Sequence, residues 1–498
     1  MKKYLYNIII LTVFLTISTA CTDDFVDRPV QYSIDSENYF NSKSEYESAL
    51  IGAYDLLQTT FQTVLMGEIA SDNALCGGNS PTDVPGYQQV DDMIHTPVND
   101  QIKRVWDWMF AGVQRANYIL EFQDKTEFEG KTQIIAEARF LRAYFHFELV
   151  KWFGEIPMKG DKRFVPGDET SIPRSPVADV YASIYEDLIY AAANLDPVAS
   201  QTGRATSGAA TALLGKAYLY EASHTNDVEK YKLAAKKLQD VIDSNKYQLV
   251  MDFEDIWEFD GENGPESIFE IQYTDVQGAG YGYMQGVEGN IMVGFCGPNS
   301  YEGPKYSAGN NFSLPTKEIW DAFEADDLRK ELSILDMDAW VAENPEVTYT
   351  KQNEHTGYFN RKYIPRTRRE EAAADLKLTN PNNYRAIRYA DVLLMAAEAY
   401  SKTGEDAKAV GYLNEVRDRA FGDEDHRITF TGDNLYNAIL AERRVEFAGE
   451  GFRFFDLVRT GRAAQAIDGF KANKNELFPI PIEEIQFSNG NWDQNQGY

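Results

Sequence analysis

The sequence predicts a mostly α-helical fold in which paired helices stack into a superhelical scaffold, broken by long irregular loop insertions and bordered by a few short strands. Three observations lead there. Apolar residues recur at helical spacing through most of the chain, short polar breaks divide those helices into pairs, and the period lapses in two stretches rich in Gly, Asn and Tyr.

The chain opens on Lys2 and Lys3, runs almost wholly apolar from Tyr4 to Ile17, and reaches Ser18-Thr19-Ala20 just before Cys21. That is the layout of a secretory signal, predicted here to span residues 1–20. The apolar run is shorter than the roughly 20 residues that cross a bilayer. A cysteine directly after small residues resembles a bacterial lipobox, in which the thiol is acylated and becomes the mature N-terminus, although Leu is more usual where Ser18 stands. Cys21 is therefore the predicted lipid attachment site, and residues 21–36 read as a flexible tether. More than one acyl chain is needed for lasting anchorage. Residues 37–498 show no composition shift and read as a single domain.

Within that domain the helical rhythm is explicit. Met109, Val113, Ala116 and Leu120 are spaced four, three and four, and Ala136, Phe140, Ala143, Phe147 and Val150 repeat the pattern. Tyr181 to Ala191, Ala212 to Tyr220, Tyr231 to Val241, Ala390 to Ala397 and Ala409 to Ala420 supply five further faces. Each set lies on one side of a helix of 3.6 residues per turn. The breaks Ser223–Asp227 and Ser401–Glu405 join pairs, and small residues sit beside aromatics at matching places in 215–220 and 397–401. Small-beside-large packing of paired helices is the tetratricopeptide device. Trp106 and Trp108 fall on a helical pattern and are assigned to the core. The two aperiodic stretches are 66–104 and 262–316, with a short strand expected at Ser267–Tyr273. Loops this long inside a compact domain carry function or are disordered, and their aromatic content argues against disorder.

Composition narrows the function. Net charge is −30, and removal of residues 1–20 leaves 46 basic against 78 acidic residues, a net of −32. Such a surface repels phosphate backbones, so no nucleic-acid partner is expected. With Cys21 assigned to the anchor, Cys76 and Cys296 remain, and their spacing leaves a disulfide open. The five histidines form no metal-ligand cluster, and there is no zinc pattern. No EF-hand-like loop is present, so structural calcium is not predicted despite the acidity. No cofactor is expected. No nucleophile elbow, zinc helix motif or phosphate-cradling Gly loop occurs either.

The C-terminal third carries the recognisable motifs: Leu440 to Arg459 (LAERRVEFAGEGFRFFDLVR), Leu477 to Ile485 (LFPIPIEEI) and Tyr384 to Leu394 (YRAIRYADVLL). Upstream stand Arg142-Ala143-Tyr144-Phe145 and Trp152 to Pro157. In order and coverage this set resembles the SusD/RagB family. The acidic Asp23-Asp24 after the cysteine is similar to the surface-export signal of Bacteroidetes lipoproteins. Alternating Glu442, Arg443, Glu446, Arg453, Asp456 and Arg459 read as structural ion pairs that fix helix contacts, not as a catalytic cluster.

The resemblance implies a non-enzymatic, lipid-anchored protein on the outer face of the outer membrane. It implies capture of an oligosaccharide ligand and delivery to a SusC-like TonB-dependent transporter. Sugars present apolar C–H faces and hydroxyls, so their receptors combine aromatic platforms with amides and carboxylates. By loop position the candidate ligand-binding residues are Asn79, Tyr87, Gln88, Tyr281, Tyr283, Gln285, Tyr301, Asn310 and Asn311. Three alternatives remain open at this level: a RagB-like lid that binds peptides, a surface glycoside hydrolase working through a carboxylate pair, and a structural lipoprotein.

Overall fold

The computed structural model describes residues 38–276, 288–367, 375 and 377–498. Cys21, Tyr281, Tyr283 and Gln285 lie outside the described residues.

The periodic segments form the helices their spacing predicts. They are α1 (Lys43–Asp55), α2 (Phe61–Ile69), α3 (Asp100–Glu121), α4 (Lys131–Phe153), α5 (Val177–Asn194), α6 (Ser207–Thr225) and α7 (Val228–Asp243). After a long excursion come α8 (Tyr389–Lys402), α9 (Asp406–Phe421), α10 (Gly432–Glu446) and α11 (Arg453–Arg459). From α3 to α9 each helix packs against the next in sequence, and α7 meets α8 directly across the excursion. This is the tetratricopeptide-like array. The breaks within pairs are shorter than their polar composition indicates: α6 runs on to Thr225, Asn226 turns left-handed (φ 54°), and Asp227 caps α7 by accepting from the backbone N–H of Glu229 and Lys230. Close approach needs small residues. A Cβ on Gly112 of α3 would sit 2.4 Å from the Phe145 ring of α4.

Neither aperiodic stretch is a plain loop. The first contains part of α2, the strand Ala74–Gly77, the helix Pro85–Asp91 and the start of α3. The second contains strands Ser267–Ile271, Asn299–Glu302 and Phe312–Pro315, and the helix Ile291–Cys296. Antiparallel pairing stitches them together, with Ala74 opposite Pro315 and Gly77 opposite Phe312. Ser267–Ile271 pairs with Tyr384–Arg388, which returns the chain to α8. The excursion is thus clamped to the helical stack at both ends.

The charged C-terminal motif lies inside the protein. Arg388 reaches Glu266 Oε1 (2.9 Å), Glu450 Oε1 (2.8 Å) and Glu446, and Glu446 also receives Arg329 (2.7 Å) and Arg419 (2.6 Å). Asp391 of α8 takes Lys216 of α6 (2.9 Å) and Arg443 of α10 (2.8 Å), while Arg459 joins Glu398 (2.7 Å) to Asp456 (2.8 Å). Glu442 pairs with Arg329 (2.7 Å), and Arg453 forks onto Asp72 (2.7 and 2.8 Å). Burial alone would raise these carboxyls, yet Arg419, Arg388 and Arg329 hold Glu446 far below the usual range. Lys216 and Arg443 likewise bring Asp391 down to about 2. Every charge in this lattice has a fixed counter-charge, as the sequence motif predicts. At its edge a Cβ on Gly67 would meet the Gly451 carbonyl at 2.3 Å, and Gly451 itself has φ 83°. No larger residue fits at either position.

Candidate functional site

Three segments converge around the tip of the Ala74–Gly77 strand. Gly77 donates its N–H to Glu354 Oε2 (2.9 Å), and its carbonyl accepts from Gln88 Nε2 (2.7 Å) and Asn353 Nδ2 (3.1 Å). Gly78 N–H donates to the Asn311 carbonyl (2.7 Å). Asn79 Oδ1 accepts from Asn299 Nδ2 (2.7 Å), while Asn79 itself donates to Asp83. Asn299–Glu302 pairs with Thr348–Thr350, which brings the 348–355 segment to the same surface. The layer is therefore built from 77–88, 299–311 and 348–355.

Its backbone is strained where these turns meet. Val84 (φ 44°), Ser300 (51°), Asn311 (61°) and Glu354 (55°) all occupy the left-handed region without being glycine. Such conformations cost on the order of 1–3 kcal/mol each and persist where surrounding contacts over-determine them.

The sequence-derived candidates separate by burial. Asn79 is exposed, and Gln88 and Asn310 are half-buried. Tyr87 is buried: its hydroxyl donates to Gln62 Oε1 (2.7 Å), and its ring packs edge-on against Phe295 and Phe312. Asn311 is buried, with Nδ2 directed at the Gly78 and Asn353 carbonyls (both 3.4 Å). Tyr301 is buried too, its hydroxyl donating to the Pro304 carbonyl (2.8 Å) and accepting from Trp340 Nε1 (3.0 Å). All three side chains are therefore packed within the layer: strand pairing turns Tyr301 into a small core of its own, Tyr87 on the helix Pro85–Asp91 joins the main core, and Asn311 is held by the two carbonyls.

Tyr349, His355, Asn299, Asn353 and Glu354 were not among the candidates. Tyr349 and His355 are half-buried, with the Tyr349 hydroxyl 3.1 Å from His355 Nε2. The signal for Tyr349, Asn353, Glu354 and His355 was a polar run, Tyr349 to His355, that fits no helical period, and Asn299 lies within the second aperiodic stretch.

Beneath the surface, Asp91 Oδ2 accepts from Cys76 N–H (2.7 Å). Burial pushes the Asp91 carboxyl up to about 8 against the pull of that N–H, and Glu354 adds to the rise. Cys76 and Cys296 are both buried free thiols, so no disulfide joins them. Burial raises both thiols as well. Trp106 and Trp108 are buried, in keeping with their helical spacing. Among the described residues no group of His, Cys, Asp and Glu is arranged to hold a metal ion, and no helix is long and apolar enough to cross a membrane. What the layer offers is amide and carboxylate hydrogen bonding beside a tyrosine ring. That chemistry orients hydroxyl or amide groups.

Comparison with known proteins places these features in context. A model described as the SusD family matches residues 332–476, and one described as starch-binding associating with outer membrane matches 24–219. SusD-like protein P2 of Formosa agariphila is 27% identical over the full length of both chains. Among solved structures, a laminarin binding SusD-like protein is 33% identical with a TM-score of 0.83, covering 92% of this chain and 100% of that one. Surface glycan-binding protein A from Bacteroides thetaiotaomicron, in complex with laminarihexaose, is 26% identical with a TM-score of 0.81, covering 91% and 99%.

Proposed function

This chain belongs to the SusD family, and from that premise we propose that it is a surface glycan-binding lipoprotein which captures oligosaccharide and delivers it to a SusC-like TonB-dependent transporter. Cys21 is its lipid attachment point, residues 1–20 its signal peptide, 21–36 its tether, and the protein sits on the outer face of the outer membrane. Binding, not turnover, is its task.

The observation that carries this reading is the hydrogen-bonded junction of Asn79 with Asn299 at the meeting of both insertions. It sets amides and the Glu354 carboxylate around the tip of the Ala74–Gly77 strand, beside the segment that also carries the half-buried Tyr349 ring. Preorganised polar groups beside an aromatic face suit a sugar. The laminarin and laminarihexaose of the similar structures make β-glucans the first ligands to try. Tyr281, Tyr283 and Gln285 belong to the proposal as further contacts by sequence position.

The test is a panel of soluble polysaccharides, laminarin included, in native affinity gels, with released reducing ends assayed on the same mixtures. Retention by a neutral glycan without release is expected. Release of reducing ends would make the protein a hydrolase. Retention by no glycan, together with binding of mixed peptides, would make it a peptide lid. Co-purification with a transporter from outer membranes tests the delivery step.

A further inference from the structure

A second concavity lies away from the loop layer, along the flank of α3. It is a cleft of about 500 Å³, within the size range of small-ligand sites. Its floor is Trp106 and Trp492, only 3% and 6% exposed, and its walls are the half-buried Phe110 and Phe164. The two phenylalanine rings stand at 86° with centroids 6.1 Å apart, forming a corner with a face and an edge. The corner is preorganised. Gln114 of α3 clamps the Phe164 backbone from both sides, accepting its N–H (2.7 Å) and donating to its carbonyl (2.8 Å), and Trp492 Nε1 is fixed on the Ile172 carbonyl (2.8 Å).

The polar lining is one-sided. Asp107, Asp168, Glu169 and Glu484 line the cleft, and no Lys or Arg does. Lys103 stands behind Asp107 and Glu484 (3.0 and 3.7 Å), and Lys159 behind Asp168. Glu169 accepts from the Gly167 N–H (2.9 Å), so each of these carboxylates is held by a fixed partner. An anionic ligand is repelled, whereas hydroxyl donors add to the carboxylate oxygens. A ligand with apolar flat faces and many hydroxyl donors satisfies both surfaces.

We infer that this cleft is a second carbohydrate site, which seats a short segment of a neutral glycan on the Phe110–Phe164 corner with its hydroxyls donating to Asp107 and Glu169. The inference rests on the glycan-binding reading of the protein. Asn99, which caps α3, donates to Gly86 O and Gln89 Oε1 in the first insertion, so one helix carries both sites. At 1.5 Å per residue the corner begins about 16 Å from that cap. A polymer that engages both gains effective concentration with no new contact, whereas a short oligosaccharide does not.

The experiment uses the neutral glycan best retained in the panel, with laminarin and laminarihexaose as the first pair, in calorimetry and affinity gels. Wild type should bind the hexaose at two sites per chain. Phe110→Ala with Phe164→Ala should leave one site and weaken polymer retention by roughly tenfold or more. Ala111→Trp, which fills the cleft and removes no packing, should do the same and guards against misfolding of the double variant. A single hexaose site in wild type, with polymer retention unchanged in both variants, overturns the inference and leaves the loop site standing. If Asn79→Ala with Tyr349→Ala changes nothing while the cleft variants abolish binding, the cleft stands and the loop site falls. Retention of no neutral glycan by wild type overturns both.

Discussion

The ion-pair lattice between α8, α10 and the Tyr384–Arg388 strand and the loop layer around Asn79 are both dense in polar groups, and they use them in opposite ways. In the lattice, Arg388, Arg329 and Arg419 converge on Glu446, and all four side chains are essentially inaccessible. In the layer, Asn79, Ser300 and Glu354 are exposed and Asn299 and Asn353 half-buried, on a backbone bent into left-handed turns. A buried network of paired charges specifies one geometry and is closed to a ligand. An unsaturated layer can bind only if something rigid holds it, and the strand pairs Ala74–Gly77 with Phe312–Pro315 and Ser267–Ile271 with Tyr384–Arg388 transmit that rigidity.

The sharpest way to break the comparison is to remove one member of each network. Glu446→Ala removes the carboxylate that three buried guanidinium groups share and should cost on the order of 3–5 kcal/mol, read as a fall in the urea midpoint or as failure to fold. Asn79→Ala should shift that midpoint by under about 0.5 kcal/mol. Comparable losses at the two positions would erase the distinction.

The aromatic residues divide in the same manner. Tyr301→Ala empties a packed position and leaves Trp340 Nε1 without its acceptor, for a cost of about 3 kcal/mol. Tyr349→Ala, at a half-exposed ring, should cost about 1 kcal/mol or less and weaken glycan binding instead. Thermal melts with binding isotherms on both variants check this.

Acidity should separate the regions by sign. Glu446 and Asp391 are held low in the folded state, so their contribution is full above the ordinary carboxylate range and is lost as pH falls through about 4 toward 2. Burial also brings His146 down to about 3 and His95 to about 4, and this adds to the loss as pH drops below about 6.5. Asp91 runs the other way. With its carboxyl raised to about 8, the folded state holds a proton that the unfolded chain releases near 4, so stability declines as pH rises from about 4 to 8. Burial raises Glu68 to about 7 and gives it a share in that decline, so Asp91→Asn, which keeps the acceptor for Cys76 N–H, should lessen the decline while leaving the acid limb intact. Urea unfolding between pH 3 and about 9 reads both limbs. The smallest effect belongs to Asn299→Ala, a surface amide whose loss should pass almost unnoticed in stability and appear only as faster glycan release.

The helices were legible because 3.6-residue periodicity records burial against a neighbour: Ala136 to Val150 and Ala390 to Ala397 lie inside α4 and α8. The ion pairs were legible because charges cannot alternate through an apolar motif unless they meet partners. The layer was harder to read. Its position followed from the lapse of periodicity at 66–104 and 262–316, but composition cannot say which way a side chain points in a two-residue strand period. Tyr301 on its strand therefore looked available and is packed, and so is Tyr87 on the helix Pro85–Asp91. The 348–355 segment reaches the layer through pairing with Asn299–Glu302 and through Asn353 and Glu354 at Gly77, contacts between distant residues that no local pattern announces. The α3 cleft was hidden for the same reason, since Phe110, Phe164 and Trp492 come from three separate parts of the chain.

Amide hydrogen exchange with and without a bound glycan tests the division of labour most directly. A buried frame and a ligand-ready layer predict that glycan slows exchange in 77–88, 299–311 and 348–355 and leaves α8 and α10 unchanged. Protection gained in α8 and α10 with none in those three segments would contradict it.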